Sequence, residues 1–102
     1  MFELLTENFE ELKSKNFSLI DFWQKSCPEC LALKSLLEEI EKDFSDVYFY
    51  SLDCQKERKL AISQKVFGLP AVLLFSKGEL VCKLQKEDCT IENIKKALNE
   101  KH

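Results

Sequence analysis

Apolar and polar residues follow one another in blocks that predict strands and helices in turn. The stretch Phe17–Trp23 is almost continuously apolar, which is typical of a central strand covered on both faces. Beyond it, apolar residues recur at the spacing of one helix face: Leu33, Leu36, Leu37, Ile40 and Phe44. The pattern predicts a buried strand followed at once by an amphipathic helix that begins near Pro28 and ends at about Asp43.

The rest of the chain repeats this alternation. Four more apolar or β-branched runs predict strands: Phe2–Leu5, Val47–Leu52, Ala71–Phe75 and Glu79–Leu84. Lys77 and Gly78 predict a tight turn that joins the last two strands into a hairpin. Helices are predicted from about Glu7 to Lys15, over roughly 56–65, and after residue 90, with three N-caps: Thr6, Asp53 and Thr90.

The resulting order, β-α-β-α-β-α-β-β-α, predicts an α/β fold. Strands that alternate with helices form parallel pairs joined by right-handed crossovers, and the final hairpin adds an antiparallel part. We therefore expect a central mixed β-sheet flanked by helices on both faces. No repeat or linker interrupts the order, so residues 1–102 are predicted to form a single domain.

Composition narrows the possible functions. A net charge of −3 argues against nucleic-acid binding, which depends on basic patches. No apolar run is long enough for a membrane helix, and the acidic N-terminus does not resemble a secretory signal. Five cysteines is an odd number, unlike the usual disulfide framework of a secreted domain. We expect a cytoplasmic protein without nucleic-acid or membrane partners, in which closely spaced cysteines are catalytic or bind metal.

The close pair of cysteines, Cys27-Pro28-Glu29-Cys30, lies between the central strand and the helix. Proline suits the first helical position, which makes Cys27 the predicted N-cap. Free N–H groups and the helix dipole stabilise a thiolate there. Cys30 is three residues further on the same face, so the two sulfurs can form a small-loop disulfide. The pair can therefore supply a nucleophile and its resolving thiol.

Two other interpretations of the pair remain open. A structural zinc site needs four ligands, but the other cysteines (Cys54, Cys82 and Cys89) are scattered and the one histidine is terminal. A binding module without redox activity is the second alternative. We expect redox chemistry rather than either alternative, with no metal bound.

With these features in place, the sequence resembles the thioredoxin family along essentially its whole length. Leu19–Trp23 matches the family's strand motif, in which an aspartate stands six residues before the first cysteine. Gly68–Phe75 matches the family's Gly-Ile/Val-Pro-Thr strand, and Lys77–Glu79 matches its hairpin turn. The resemblance implies a thioredoxin fold and a monomer that reduces protein disulfides. It implies no bound cofactor beyond the redox-active Cys27–Cys30 pair, and a flavin-dependent thioredoxin reductase as electron donor for disulfide-containing client proteins.

The resemblance also implies roles for individual residues. Cys27 would attack the client disulfide, Cys30 would resolve the mixed disulfide, and the buried Asp21 would accept the proton of Cys30. Pro70 would be cis and face the redox pair, leaving the backbone of Leu69 free to pair with an extended client segment. The residues expected to contact the client are Trp23, Ser26, Pro28, Glu29, Leu69 and Pro70.

The sequence departs from the family pattern at several positions. Ser26 replaces the usual tryptophan, and Glu29 adds a negative charge that disfavours a thiolate and should make the couple more reducing. The lysine that the family often places near the buried aspartate has no obvious match, and Phe49 is nearest in register. The family's glycine after the last strand is absent from residues 83–86. An alternative function is therefore a docking module dedicated to one client or reductase, with weak general reductase activity.

Overall fold

A computed structural model describes all residues from Met1 to His102. Its helices and strands are β1 (Phe2–Glu3), α1 (Phe9–Lys13), β2 (Ser18–Trp23), α2 (Pro28–Ile40), β3 (Tyr48–Asp53), α3 (Arg58–Ser63), β4 (Ala71–Ser76), β5 (Glu79–Gln85) and α4 (Ile91–Lys101). Short 3₁₀ turns precede α1 and follow α2 and β5. The predicted order of strands and helices is confirmed. None of the helices combines the length and the apolar character that a membrane crossing requires.

The five strands form one mixed sheet in the order β1-β3-β2-β4-β5. Strand β3 pairs in parallel with both β1 and β2, whereas β4 pairs antiparallel with β2 and β5. The almost continuously apolar β2 therefore occupies the centre, as predicted. Asp21 of β2 is opposite Ser51 on one side and Val72 on the other.

The sheet separates two hydrophobic cores, so helices cover both of its faces. One core joins α2 and α4 to the face that carries Leu19 and Phe49. The other core contains Phe9, Leu60 and Ala61 from the α1 and α3 side, packed on the face that carries Ile20 and Phe22. Since side chains alternate along a strand, Asp21 shares its face with Leu19 and points toward α2 and α4.

Two of the three predicted caps are corrected by the structure. Thr90 caps α4 as predicted, accepting a hydrogen bond from the N–H of Asn93 at 3.1 Å. Thr6 instead begins a 3₁₀ turn, and its hydroxyl donates to Glu57 at 2.6 Å. Asp53 caps the turn before α3, accepting from the N–H of Gln55 at 2.9 Å, and the helix itself begins five residues later.

Candidate active site

The paired cysteines are positioned by the N-terminus of α2. Cys27 is the N-cap with extended backbone angles, Pro28 is the first helical residue, and the Sγ atom of Cys27 accepts the N–H of Cys30 at 3.1 Å. The two sulfurs form a disulfide. Cys27 is partly exposed, whereas Cys30 is fully buried. The structure thus represents the oxidised pair, with only the first sulfur accessible to a reactant.

Asp21 is a fully buried carboxyl group on the central strand, on the sheet face covered by α2. Neither of its oxygens has a hydrogen-bond partner in the protein. Burial raises the pKa of Asp21 to about 7, an effect that Lys34 opposes and Glu38 reinforces. A carboxyl group with this pKa exchanges its proton near neutral pH and can therefore act as a general base.

The residue beside Asp21 on the neighbouring strand is Ser51, which corrects the register inferred from the sequence. Phe49 pairs with Leu19 and belongs to the hydrophobic core. Ser51 carries no charge, so β3 places no cation next to Asp21. The nearby positive charge comes instead from Lys34 on α2.

Lys34 packs over Trp23 and was not identified from the sequence. Its Nζ atom lies 5.5 Å from the centre of the indole ring and 3.5 Å from a carboxylate oxygen of Glu38. The spacing from Cys30 to Lys34 is one helical turn, and this spacing was the available sequence signal. Trp23 itself does not line the groove at Cys27, although its carbonyl accepts the N–H of Cys54, which does, at 2.8 Å.

A groove of about 560 Å³ lies beside Cys27. One side is formed by the loop that carries Cys27 and the start of α2 (residues 24–29), which we call the redox loop. The other side is formed by α3 and the loop after it. Four of the predicted client-contact residues line it: Ser26, Pro28, Glu29 and Leu69. Residues that the sequence had not suggested also line it, among them Arg58, Ile62 and Phe67. Cys54 is the only other cysteine in the groove.

The loop before β4 carries the predicted cis peptide bond, Leu69–Pro70. Pro70 and Leu69 line a second, adjacent cavity with Glu29. The backbone N–H and C=O of Leu69 make no hydrogen bond within the protein. Lys86 takes the left-handed conformation (φ 54°) at the end of the segment 83–86, from which the family's glycine is absent, and its side chain lies across Gly68.

The three remaining cysteines are free thiols. Burial is the main cause of a raised pKa in each of them, to about 11 in Cys54 and about 12 in Cys89. Because the thiolate is the reactive form, these pKa values argue against Cys54 as a third nucleophile. No group of three or more His, Cys, Asp and Glu side chains is arranged to hold a metal ion.

Comparisons with known proteins agree with the geometry. The family model described as thioredoxin matches residues 1–100. The chain is 40% identical to a thioredoxin of Acetoanaerobium sticklandii over 97 residues, which is 92% of each chain. It is 37% identical to a thioredoxin of Buchnera aphidicola over 103 residues, covering 91% of this chain and 95% of that one.

Two solved structures show the same fold at low sequence identity. A thioredoxin of Plasmodium falciparum superposes with a TM-score of 0.91 at 15% identity, with both chains fully covered. Thioredoxin f2 of Chlamydomonas reinhardtii also gives 0.91 at 15% identity, covering 100% of this chain and 96% of that chain.

Proposed function

This chain belongs to the thioredoxin family and is a thiol–disulfide oxidoreductase that reduces protein disulfides, and from that premise we propose how its residues divide the reaction. Cys27 is the attacking thiol and Cys30 is the resolving thiol. The observation that carries this assignment is the contrast between the partly exposed Cys27 at the helix N-cap and the fully buried Cys30.

The proposed reaction begins from the reduced pair. The Cys27 thiolate attacks one sulfur of the client disulfide, forming a mixed disulfide and releasing one client thiolate. Cys30 then loses its proton and attacks the Cys27 sulfur, which breaks the mixed disulfide and releases the second client sulfur. The client gains two electrons and two protons, and the protein is left as the Cys27–Cys30 disulfide described above.

Asp21 is proposed as the acceptor of the Cys30 proton. Two observations support this role: the burial of Asp21 on the α2 side of the sheet and its pKa of about 7. Part of the Asp21 population is ionised near neutral pH, and the raised pKa makes this carboxylate a stronger base than an ordinary one. Asp21→Asn should slow the resolution step by about tenfold or more above pH 7, and the difference should shrink as the pH falls below 7. Identical pH profiles for the two proteins would contradict the role.

The client is proposed to bind as an extended segment across Ser26, Pro28, Glu29 and Leu69. The unpaired N–H and C=O groups of Leu69 support a short stretch of β-addition next to Cys27, with Pro70 on the adjacent cavity. Trp23 contributes by packing under Lys34 rather than by lining the groove.

Thioredoxins work with a reductase and with disulfide-containing clients, and this holds for the family to which the chain belongs. The finer proposals are a flavin-dependent reductase, a monomer formed by residues 1–102 as one domain, and a cytoplasmic location. Reduction of the purified protein by a flavin-dependent thioredoxin reductase and NADPH, followed at 340 nm, would test the first of these. No NADPH consumption would exclude that donor.

Insulin reduction with matched cysteine variants tests the assignment of Cys27. Cys27→Ser should abolish turnover, whereas Cys54→Ser, in the same groove, should retain it. Cys30→Ser should accumulate a covalent mixed disulfide with the insulin chains. Equal activity of Cys27→Ser and the unmodified protein would refute the assignment. Poor insulin turnover together with selective binding to one client would favour the dedicated docking module.

A further inference from the structure

The groove beside Cys27 has two chemically different sides. On the redox-loop side it presents Ser26, Pro28 and the carboxylate of Glu29, with no aromatic residue. On the other side, Ile62 and Phe67 present exposed apolar side chains, and Leu69 completes that surface. We call Ile62, Phe67 and Leu69 the apolar wall.

Phe67 is the most exposed large hydrophobic side chain of the protein, with 76% of its surface accessible. Its neighbour on the wall, Ile62, is 54% exposed. Single exposed apolar residues are ordinary on protein surfaces, so exposure alone indicates nothing. What distinguishes this pair is its position in the same groove as the partly exposed cysteine on which a client must react.

Hydrogen bonds hold the backbone at Phe67 and at the residue before it. The N–H of Val66 donates to the carbonyl of Ala61 at 3.1 Å, and the N–H of Phe67 donates to Oε1 of Gln85 at 3.3 Å. Phe67 has no aromatic neighbour, in contrast to the similarly exposed Phe2, which packs edge-on against Tyr50. The aromatic ring is therefore displayed with its surface uncovered, on a backbone that is hydrogen-bonded up to Phe67 itself.

Cys27 lies on this groove, so residues that flank the client cysteine can contact one side of the groove or the other. The wall offers contact to an apolar side chain, and the Glu29 carboxylate opposite repels an acidic one. Ser26 offers little contact area in place of the family's tryptophan. The aromatic contact is thus located after α3 rather than before the first cysteine.

We propose that the apolar wall selects clients whose reactive cysteine is adjacent to an aromatic or large aliphatic residue in an extended segment. Phe67 is the main specificity-determining residue. This inference rests on the proposed attack by Cys27, and it adds the chemical class of the client.

The test uses the reduced full-length protein and a set of disulfide peptides that differ only at the residue next to the reactive cysteine. That residue is phenylalanine, leucine, serine or aspartate, and the rate constant for reduction is measured by stopped flow. We expect the phenylalanine and leucine peptides to react about five- to tenfold faster than the serine peptide, and the aspartate peptide to react slowest. Phe67→Ser should remove the apolar preference, and Phe67→Leu should retain most of it.

Two controls separate the possible failures. Phe2→Ser removes another exposed phenylalanine, on the edge strand β1 and outside the groove, and should leave the preference intact. Reduction of bis(2-hydroxyethyl) disulfide, which has neither a peptide flank nor an aromatic ring, should be similar in the unmodified protein and in Phe2→Ser. A preference that persists in Phe67→Ser, or is absent from the unmodified protein, overturns this inference alone. Failure of the unmodified protein to reduce the small disulfide overturns the proposed function, and this inference with it.

Discussion

The backbone N–H of Cys30 donates a hydrogen bond to the Sγ atom of Cys27, 3.1 Å away, so the first cysteine of the pair is also the N-cap of α2. The same sulfur therefore has two tasks, one in helix capping and one in redox chemistry. In the reduced protein the N–H group and the helix dipole favour the thiolate form of Cys27.

Replacing Cys27 by serine or by alanine should separate these two tasks. Both variants should lose insulin reduction. Serine can still cap the helix, whereas alanine cannot, so Cys27→Ala should be less stable than Cys27→Ser by about 1 kcal/mol. Urea denaturation of both variants under reducing conditions measures the difference. Equal stability would show that the cap contributes nothing.

Asp21 should make stability fall as the pH rises. Its pKa is about 7 in the folded protein against an ordinary value of 3.8, so between these values the folded state binds more protons than the unfolded state. The free energy of unfolding is then lost progressively through this window, by about 4 kcal/mol at most. The stability of Asp21→Asn minus that of the unmodified protein should increase from pH 4 to 7 and level off above. A difference independent of pH would contradict the raised pKa.

Lys34 and Glu38 should move the pKa of Asp21 in opposite directions. Lys34 lowers this pKa and Glu38 raises it, so Lys34→Met should raise it and Glu38→Gln should lower it. Titration of the Asp21 carboxyl carbon by NMR measures both changes. Lys95→Met, on the exposed side of α4, serves as the control. Shifts of the same sign in the two variants would rule out an electrostatic origin.

Lys86→Gly should stabilise the protein. Lys86 has a φ of 54°, a left-handed conformation that costs a side-chain-bearing residue about 1 kcal/mol, partly offset by the greater unfolded-state freedom of glycine. We expect a gain of about 0.5 kcal/mol in urea denaturation. Gly78→Ala is the matched opposite and should destabilise, since Gly78 has a φ of 89° and a Cβ there would meet only the Cα atom of Ser14, at 3.9 Å, which is an ordinary contact.

Glu29→Lys should make the Cys27–Cys30 couple less reducing. Glu29 is exposed next to the sulfurs, so its charge is screened by solvent and its influence on the thiolate is small. We expect the reduction potential to rise by about 20 mV or less, and the shift to shrink at high salt. Redox titration with glutathione measures it. A fall in potential would reverse the assigned effect of the charge.

The fold was predictable because the hydrophobic pattern and the turn residues agreed along the whole chain. The apolar run of β2, the helical spacing of α2 and the turn at Lys77 and Gly78 each specified one local structure. The redox pair was equally predictable, since its chemistry depends on two cysteines at a fixed spacing after a strand.

The residues that were missed depend on contacts between distant segments. Ser51 and Phe49 are on the same face of β3, so alternation could not decide which of them is beside Asp21; the strand register does. Thr6 is a residue type that often caps helices, but its hydroxyl donates a hydrogen bond to Glu57, which is 51 positions away in the sequence. The position of Phe67 in the groove depends on the path of the loop after α3, for which the sequence carries no periodic signal.

The location of β1 at the edge of the sheet has a consequence for local unfolding. This strand has only two residues and pairs only with β3. The paired residues are separated by almost half of the sequence. Strand β1 has no pairing with β2 or β4, the strands at the centre of the sheet. Amide hydrogen exchange should therefore be fastest in β1 and slowest in β2, so that the N-terminal strand opens many times for each opening of the redox site.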